Sequence, residues 1–335
     1  MSEKSTETPG FAEIAAASER LQGRAVRTPL LEAPLLSARL GFRLFVKAEC
    51  LQRTGSFKFR GAFNRLSLLA AAARQCGVVA YSSGNHAQGV AAAARLLGIP
   101  ATIVMPRDAP AIKLTRTRAH GAEIVLYDRA GESREEIAAR LAAERGATLV
   151  PPYDDRFIIA GQGTAAMEAI ADAVAFHATQ FDALVAPASG GGLVAGAALA
   201  AENLSPATRV YSAEPIGLDD HARSLAEGRR VANPPPAHSI CDALLGPMPG
   251  EITFEINRRL LAGGLVVSDD EARHAMRVAF AELKIVLEPS GAVALAAALA
   301  GRIPGDNHAV CVIASGGNVD PAVFVPILAQ AAGRS

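Results

Sequence analysis

Lys58 stands in the segment TGSFKFRGAFNRL, where a strand-like run gives way to a helical one. Gly55 and Gly61 flank it, and Phe57 precedes it directly. An isolated lysine is usually a solvated surface charge, but a glycine-flanked junction beside an aromatic ring is a better setting for chemistry. The characteristic chemistry of such an amine is Schiff-base formation with an aldehyde. Lys58 is therefore the first candidate catalytic residue.

The chain holds only five lysines, so the alternatives to Lys58 can be compared one by one. Lys4 lies in a polar tail, and Lys47 lies within a predicted strand. Lys113 lies on a predicted charged helix, and Lys284 lies beside the end of another helix. None of these four shares the strand-to-helix position between glycines, which singles out Lys58.

Four predicted strands end in residues that could bind a ligand. Small polar residues and glycines follow three of them, at residues 82–86 (SSGNH), 189–192 (SGGG) and 315–318 (SGGN), and Glu214 follows the fourth. Backbone N–H groups at such helix entrances favour an anion, and glycines let a phosphate approach the backbone closely. One glycine-rich loop alone is weak evidence, because glycines also make tight turns. Four such strand ends together indicate a phosphate-bearing ligand.

Two cofactors compete for these loops. Gly190-x-Gly192-x-x-x-Gly196 lies between two predicted strands, and Glu214 follows at about the distance of a ribose-binding carboxylate, so an NAD-dependent dehydrogenase is one alternative. That alternative leaves Lys58 and the other two loops without a role. Pyridoxal phosphate needs a lysine, a phosphate cradle, a donor near its phenolic oxygen and a partner for its ring nitrogen. The second cofactor therefore accounts for more of the sequence.

Short β-branched runs alternate along the chain with alanine-rich helical segments. Eight strands are predicted, at residues 43–49, 77–83, 101–106, 122–127, 147–152, 181–189, 208–214 and 308–315. Near-continuous apolar strands with helical crossovers predict a buried parallel sheet in an α/β protein. Ligands of such sheets bind at the carboxyl ends of the strands, which is where the candidate loops lie.

Composition excludes several classes of function. The 335 residues are half hydrophobic, and 33 basic residues balance 33 acidic ones. No stretch combines positive charge with aromatic residues, so neither nucleic acid nor an anionic membrane is an expected partner. Apolar runs stay shorter than the roughly 20 residues that span a bilayer, and the first residues lack a secretory signal. The four cysteines form no CxxC pair, which argues against zinc. We expect a cytoplasmic enzyme that acts on a small molecule.

Eight motifs in order carry a resemblance to a known family: SFKFRGA, SSGNHAQGVA, YDRAGESRE, IAGQGTAAMEAI, SGGGLVAG, AEP, LEPSGAVALAA and SGGNVD. From about residue 20 to about residue 330 the chain resembles the fold-type-II pyridoxal-phosphate enzymes of the serine/threonine dehydratase and serine racemase family, which includes 3-hydroxyaspartate dehydratases. The resemblance implies two open twisted α/β domains, as in the tryptophan synthase β subunit, with the cofactor in the cleft between them. The large domain would comprise residues 1–76 and 155–335, the small domain residues 77–154, and the enzyme would be a homodimer.

The resemblance implies a set of cofactor-binding residues. Lys58 would form the internal aldimine, and Phe57 would pack near the cofactor ring. Asn85 would donate a hydrogen bond to the phenolic oxygen, and Ser315 would meet the pyridine nitrogen. A neutral serine cannot hold that nitrogen protonated as a carboxylate would, which favours β-elimination over a long-lived carbanion. Backbone N–H groups would cradle the phosphate at Ser189, Gly190, Gly191, Gly192 and Leu193.

Substrate-binding residues follow from the same resemblance. The α-carboxylate of an amino acid would bind the loop formed by Ser82, Ser83, Gly84, Asn85 and His86. Ser83 matches the serine that handles a proton on the face opposite Lys58 in the racemases, so racemisation stays open as a side activity.

Arg134, in GESREE, matches a position near the substrate pocket of the serine racemase group. A guanidinium there could bind a second substrate carboxylate through two parallel hydrogen bonds. The alternative is an ordinary solvated surface on a helix from Glu132, with local ion pairs to Glu135 and Glu136.

Glu214, Leu218 and Asp220 match positions where relatives bind a divalent cation through two carboxylates and one backbone carbonyl. Hard oxygen ligands of this kind suit Mg²⁺ or Ca²⁺. The alternative is a solvated acidic turn, with Asp219 or Asp220 as the N-cap of the helix that follows.

The predicted function is that of a pyridoxal-phosphate-dependent ammonia-lyase, or dehydratase. Lys58 would remove the α-proton of a 3-hydroxy amino acid, the β-hydroxyl would leave, and hydrolysis would give a 2-oxo acid and ammonia. Candidate substrates are L-serine, L-threonine and 3-hydroxyaspartate. Serine racemase is the alternative within the same fold, and the NAD-dependent dehydrogenase is the alternative from another class. No regulatory domain follows the last motif in the sequence, so a catabolic or specialised role is expected.

Overall fold

The computed structural model describes residues 7–82, 84–109, 111–234 and 238–330, without the side chains of residues 111 and 112. Within these ranges, ten strands form two sheets. The strands are β1 (Leu30–Glu32), β2 (Arg43–Lys47), β3 (Val78–Tyr81), β4 (Ala101–Pro106), β5 (Glu123–Tyr127), β6 (Thr148–Leu149), β7 (Ala183–Pro187), β8 (Arg209–Pro215), β9 (Leu261–Val267) and β10 (Ala309–Ile313).

Helices connect most of these strands. They are α1 (Phe11–Leu21), α2 (Pro34–Leu40), α3 (Lys58–Ser67), α4 (Ala71–Cys76), α5 (Asn85–Leu97), α6 (Ala111–Ala119), α7 (Arg134–Arg145), α8 (Arg156–His177), α9 (Gly192–Leu204), α10 (Asp220–Glu227), α11 (Glu251–Leu260), α12 (Asp269–Val278), α13 (Pro289–Leu299) and α14 (Pro321–Ala329). In the described part of the chain, no helix combines the length and apolar character needed to cross a bilayer. The cytoplasmic location and the homodimer stay predictions.

The larger sheet has six strands in the order β1-β2-β10-β7-β8-β9, and the smaller has four in the order β5-β4-β3-β6. All pairs are parallel except β1 with β2. Both faces of the larger sheet are covered by helices, because Val310 and Val312 of β10 pack with α12 and α13 while Cys311 and Ile313 pack with α8 and α9. The predicted α/β class with buried parallel sheet is confirmed.

All eight predicted strands form, with ends that differ from the predicted bounds by up to a few residues. β1 and β9 were not predicted. β9 escaped notice because its sequence, LAGGLVV, contains two glycines that weaken a strand pattern. Packing requires glycine at the second of these positions, because a Cβ at Gly264 would lie 2.6 Å from the Cα atom of Ala222 in α10.

α3, which begins at Lys58, packs closely against α5 on one side and α8 on the other. A Cβ at Gly89 of α5 would lie 3.1 Å from the carbonyl carbon of Lys58. On the other side, a Cβ at Gly161 of α8 would lie 2.7 Å from the Arg60 carbonyl oxygen. Glycine at these two positions therefore allows backbone-to-backbone contact on both sides of the first turn of α3.

α3 also supplies core residues to the smaller sheet, where Phe59 and Phe63 pack with Val78 and Ala80 of β3. This helix lies outside residues 77–154 in the sequence, although its side chains share the core of that sheet. The domain boundaries themselves stay a prediction.

Arg60, in the first turn of α3, is fully buried and forms an ion-pair cluster in the core. Its guanidinium donates two hydrogen bonds of 2.8 Å to the Glu49 carboxylate and bonds of 2.7 and 2.8 Å to Glu168. Lys47 donates a further bond of 2.7 Å to Glu168. Burial alone would raise the pKa of Glu49, but the Arg60 charge holds it below its usual value. The two cations and two carboxylates thus compensate each other inside the core.

We expect Arg60→Met to destabilise the protein by about 3–5 kcal/mol, because it leaves buried carboxylates without a partner. The midpoint of urea unfolding measures the change. Arg39→Met is the matched control, since Arg39 is largely exposed and its pair with Glu282 should contribute at most about 1 kcal/mol. Equal shifts for the two variants would contradict a structural role for the cluster.

Candidate active site

A cavity of about 560 Å³ lies where strands of both sheets end. Tyr81 at the end of β3 and Tyr127 at the end of β5 contribute from the smaller sheet. Pro187 at the end of β7 and Ser315 shortly after β10 contribute from the larger. The cavity therefore occupies the position at which α/β sheets bind ligands.

The cavity brings together most of the residues selected from the sequence. Its lining includes Phe57, Lys58, Ser82, Gly84, Asn85, His86, Arg134, Ser189, Gly190, Gly191, Gly192, Leu193 and Ser315. Ser83 lies outside the described residues. Glu214, Leu218 and Asp220 do not line this cavity.

Lys58 is partly buried at the start of α3. Its Nζ donates a hydrogen bond of 2.7 Å to the carbonyl oxygen of Pro152 and lies 5.1 Å from the centre of the Phe57 ring. Desolvation lowers the pKa of Lys58 from 10.5 to about 8. Because the pKa is lowered, the amine loses its proton as the pH rises through about 8, well before an ordinary lysine. A nucleophilic or basic amine is therefore available at moderately alkaline pH.

A glycine loop at residues 189–193 leads into α9. Gly191 has φ +89° and forms the N-cap, so the first free N–H groups of the helix follow directly. Close neighbours require the glycines: a Cβ at Gly190 would lie 2.1 Å from the Tyr153 ring, and a Cβ at Gly191 would lie 2.5 Å from His221. Backbone donors and the positive end of the helix dipole make this loop a site for an anion.

Side chains behind the loop hold it in place. The Nε2–H of His221 donates a 2.8 Å hydrogen bond to the Ser189 carbonyl oxygen, and the Thr253 hydroxyl donates one of 2.6 Å to that of Gly190. Burial lowers the pKa of His221 to about 4, so the ring is neutral at physiological pH. The loop is thus fixed before any ligand binds.

The Asn85 amide is oriented by two other polar side chains. Its Nδ2 donates a hydrogen bond of 2.5 Å to Glu288, and its Oδ1 accepts one of 2.8 Å from Asn318. Burial raises the pKa of Glu288 to about 7. The second N–H of the amide is left for a ligand in the cavity.

His86 supports the wall of the cavity. Its Nε2 lies 3.0 Å from the Val150 carbonyl oxygen. Desolvation, and after it the charge of Lys58, lower the pKa of His86 to about 3. A ring that stays neutral at physiological pH is poorly suited to supply a proton.

Arg134 is the first residue of α7, which begins two residues later than the sequence suggested, with Ser133 as its N-cap. Its Nε donates a hydrogen bond of 2.8 Å to Glu135, and its guanidinium carbon lies 5.6 Å from the centre of the Tyr81 ring. The side chain is about one-third exposed and lines the cavity. It therefore has both a local ion pair and access to a bound ligand.

Several cavity residues were missed in the sequence. Lys113 lies on a charged helix, α6, as predicted, but its side chain is only 14% exposed and its Nζ lies 2.5 Å from the carboxylate of Asp242, and both residues line the cavity. Glu288 lies within the motif LEPSGAVALAA, and the presence of that motif could have identified Glu288 as a site residue. Tyr81 was predicted only as part of a strand and Tyr153 was not considered, although both line the cavity.

Glu214 and Asp220 form a buried acidic pair away from the cavity. Glu214 accepts hydrogen bonds of 2.9 Å from the backbone N–H groups of His221 and Ala222. Burial, together with the Asp220 charge, raises the pKa of Glu214 well above its usual value. Burial raises the pKa of Asp220 to about 7, and its Oδ1 accepts a 2.6 Å hydrogen bond from Asn233. The described residues contain no cluster of three or more His, Cys, Asp or Glu side chains that could hold a metal ion.

Comparisons with known proteins found one matching family model and many similar sequences and structures. A family model described as "Pyridoxal-phosphate dependent enzyme" matches residues 21–316. The chain is 45% identical to an L-threo-3-hydroxyaspartate ammonia-lyase of a Pseudomonas species, over 95% of this chain and 98% of the relative. It is 43% identical to an enzyme of that name from Saccharomyces cerevisiae, over 93% and 94%. The solved structure of maize serine racemase matches with a TM-score of 0.90 and 37% identity, over 97% and 98%.

We expect Gly191→Ala to weaken the binding of pyridoxal phosphate at least tenfold, because the added methyl group would overlap His221 and displace the loop. Visible absorbance during titration of the cofactor-free protein measures the affinity. Gly228→Ala is the matched control. Gly228 also has a positive φ, so both variants carry about 1 kcal/mol of backbone strain. No atom lies within 4 Å of a Cβ added at Gly228. Equal affinities for the two variants would show that the loop does not bind the phosphate.

Proposed function

Because this chain belongs to the family of pyridoxal-phosphate-dependent enzymes, we propose that it is an ammonia-lyase whose preferred substrate is L-threo-3-hydroxyaspartate. The reaction removes water across the α and β carbons and gives a 2-oxo acid and ammonia. The observation that carries the proposal is the presence of Arg134 in the same cavity as Lys58, where it can bind a carboxylate that serine and threonine lack. The two L-threo-3-hydroxyaspartate ammonia-lyases among the relatives support this choice.

The residues of the cavity fit the cofactor. Lys58 would hold its aldehyde carbon, and the backbone N–H groups of residues 189–193 would bind its phosphate. Asn85 would donate to its phenolic oxygen, Ser315 would meet its ring nitrogen, and Phe57 would pack against its ring. When bound, pyridoxal phosphate serves as an electron sink for the negative charge that develops at the substrate α-carbon.

Lys58 is proposed as the general base. With pyridoxal phosphate and substrate bound, the Lys58 amine would take the α-proton, and its lowered pKa of about 8 makes the unprotonated amine available at moderately alkaline pH. Ser82, Gly84, Asn85 and His86 belong to the loop that is proposed to bind the α-carboxylate, at the N-terminus of α5, where free N–H groups favour an anion.

Two serines are proposed to decide the fate of the substrate. The Ser315 hydroxyl is neutral, so it cannot keep a proton on the ring nitrogen as a carboxylate would, and direct loss of the β-hydroxyl is favoured over charge that persists at the α-carbon. Ser83 is proposed to exchange a proton on the face opposite Lys58. Racemisation of serine is therefore the second candidate function, and the similarity to maize serine racemase favours it.

The NAD-dependent dehydrogenase suggested by the glycine pattern is wrong. The family match overturns it. The supposed ribose-binding carboxylate, Glu214, is fully buried and bonded to the backbone of α10, so it is not available to a dinucleotide in the cavity.

Arg134→Ala tests the proposed substrate. We expect it to raise KM for L-threo-3-hydroxyaspartate at least tenfold more than KM for L-serine, because only the former loses a charged partner. Arg129→Ala is the matched control, since Arg129 also lines the cavity but its side chain is bound to Asp108. If the parent enzyme prefers L-serine or L-threonine, or if Arg134→Ala raises KM equally for both substrates, the enzyme is a serine/threonine dehydratase instead.

We also propose that Glu214 and Asp220, with the carbonyl oxygen of Leu218 and water, bind Mg²⁺ or Ca²⁺. Two observations support this site. The Oδ2 of Asp220 is buried and has no hydrogen-bond partner among the described residues. Burying two adjacent carboxylates is costly unless a cation or a proton compensates them, and oxygen ligands favour a hard cation.

A chelator should lower the melting temperature of the holoenzyme by about 3 °C or more, and added Mg²⁺ or Ca²⁺ should restore it. Asp220→Asn should make the protein insensitive to the chelator. Its control is Asp219→Asn, which changes the adjacent carboxylate, paired with Arg223, and should respond as the parent does. If the chelator leaves the melting temperature of the parent protein unchanged, the proposal that a cation binds this site is wrong.

A further inference from the structure

Three of the four tyrosines of the chain line the active-site cavity. Tyr127 is almost fully buried and packs in the core on one face of the smaller sheet. Tyr81 and Tyr153 are only partly buried, and neither phenol forms a hydrogen bond with another residue in the described part of the chain. A phenol that faces a cavity without a partner is a free hydrogen-bond donor.

Both tyrosines interact electrostatically with Arg134. The guanidinium stacks over the Tyr81 ring at 5.6 Å, and Tyr153 lies within electrostatic range of both Arg134 and Tyr81. Burial raises the pKa of Tyr81 to about 12 and also raises the pKa of Tyr153. The two hydroxyls therefore keep their protons throughout the physiological range and can only donate to an anion.

Tyr153 is held rigidly between the catalytic lysine and the glycine loop. It follows Pro152, whose carbonyl oxygen accepts the Lys58 hydrogen bond, and its ring packs directly against Gly190. The next residue, Asp154, accepts hydrogen bonds from backbone N–H groups at the start of α11. A donor fixed in this way loses little conformational entropy when it binds a ligand.

Arg134 is insufficient on its own to bind a second carboxylate. Its Nε already donates to Glu135, and the negative charge of Glu135 would repel another anion. A carboxylate that leaves water needs several hydrogen-bond donors to replace its hydration. Neutral donors can supply such hydrogen bonds, and the phenols of Tyr81 and Tyr153 are two neutral donors that line the cavity together with this guanidinium.

We propose that Tyr81 and Tyr153 determine substrate specificity by donating hydrogen bonds to the distal carboxylate of a dicarboxylic amino acid, which Arg134 binds at the same time. The inference deepens the proposed function and rests on it. It assigns to this part of the cavity a three-donor subsite for a carboxylate one carbon beyond the reacting β-carbon. Monocarboxylic substrates such as serine leave that subsite without an anion.

Tyr153→Phe and Tyr81→Phe test the inference in the holoenzyme, because each keeps the ring and removes only the hydroxyl. The specificity ratio, kcat/KM for L-threo-3-hydroxyaspartate divided by kcat/KM for L-serine, should fall about tenfold or more in each variant, mainly through KM. Malonate should inhibit L-serine turnover at about tenfold higher concentration than in the parent. Tyr211→Phe, outside the cavity, is the control and should leave both measurements unchanged.

The outcomes separate the inference from the proposed function. A parent enzyme that prefers L-threo-3-hydroxyaspartate, with Phe variants whose specificity ratio and malonate inhibition stay at parent values, overturns the inference alone. Equal losses on both substrates in those variants also overturn it, since the phenols would then serve a part common to all substrates. A parent enzyme that prefers L-serine and ignores malonate overturns both. Visible absorbance confirms that each variant retains its cofactor.

Discussion

The buried ion pairs of Arg60 with Glu49 and Glu168 are the interaction on which the site depends most. They anchor the first turn of α3, and Lys58 is the first residue of that turn. The turn is also bound to the segment that follows β10, because the Phe57 N–H donates to the Ser315 carbonyl oxygen. Since glycines on α5 and α8 allow the neighbouring helices to touch the α3 backbone, the lysine cannot shift without disturbing the core on both sides.

Burial determines the chemical character of the groups around that lysine. Desolvation lowers the pKa values of Lys58 and His86 and raises that of Glu288. In each case burial shifts the equilibrium towards the neutral form, and the charged side chains that remain at the cavity wall are those of Arg129, Glu132, Arg134 and Glu135 and the Lys113 pair with Asp242. Hydrogen bonds between neutral groups and fixed backbone donors then control how a ligand is oriented.

Much of the fold could be predicted from the sequence because its signals are local. β-Branched runs predicted eight strands, small residues after three of them predicted ligand-binding loops, and the flanking glycines singled out Lys58 at a helix start. β9 was missed, since Gly263 and Gly264 obscure its pattern and their purpose appears only in the packing against α10. The charged helix that carries Lys113 was predicted correctly, but the contact of Lys113 with the cavity was not, because its partner Asp242 lies 129 residues away in the chain and no local pattern joins them.

A single residue, His221, contacts both the acidic pair and the glycine loop. Its backbone N–H binds Glu214, while its ring binds the Ser189 carbonyl oxygen. If a cation occupies the first site and a phosphate the second, the two binding equilibria are thermodynamically linked. If the cation changes the affinity for the phosphate by some factor, the phosphate changes the affinity for the cation by the same factor, because linkage between two ligands is reciprocal.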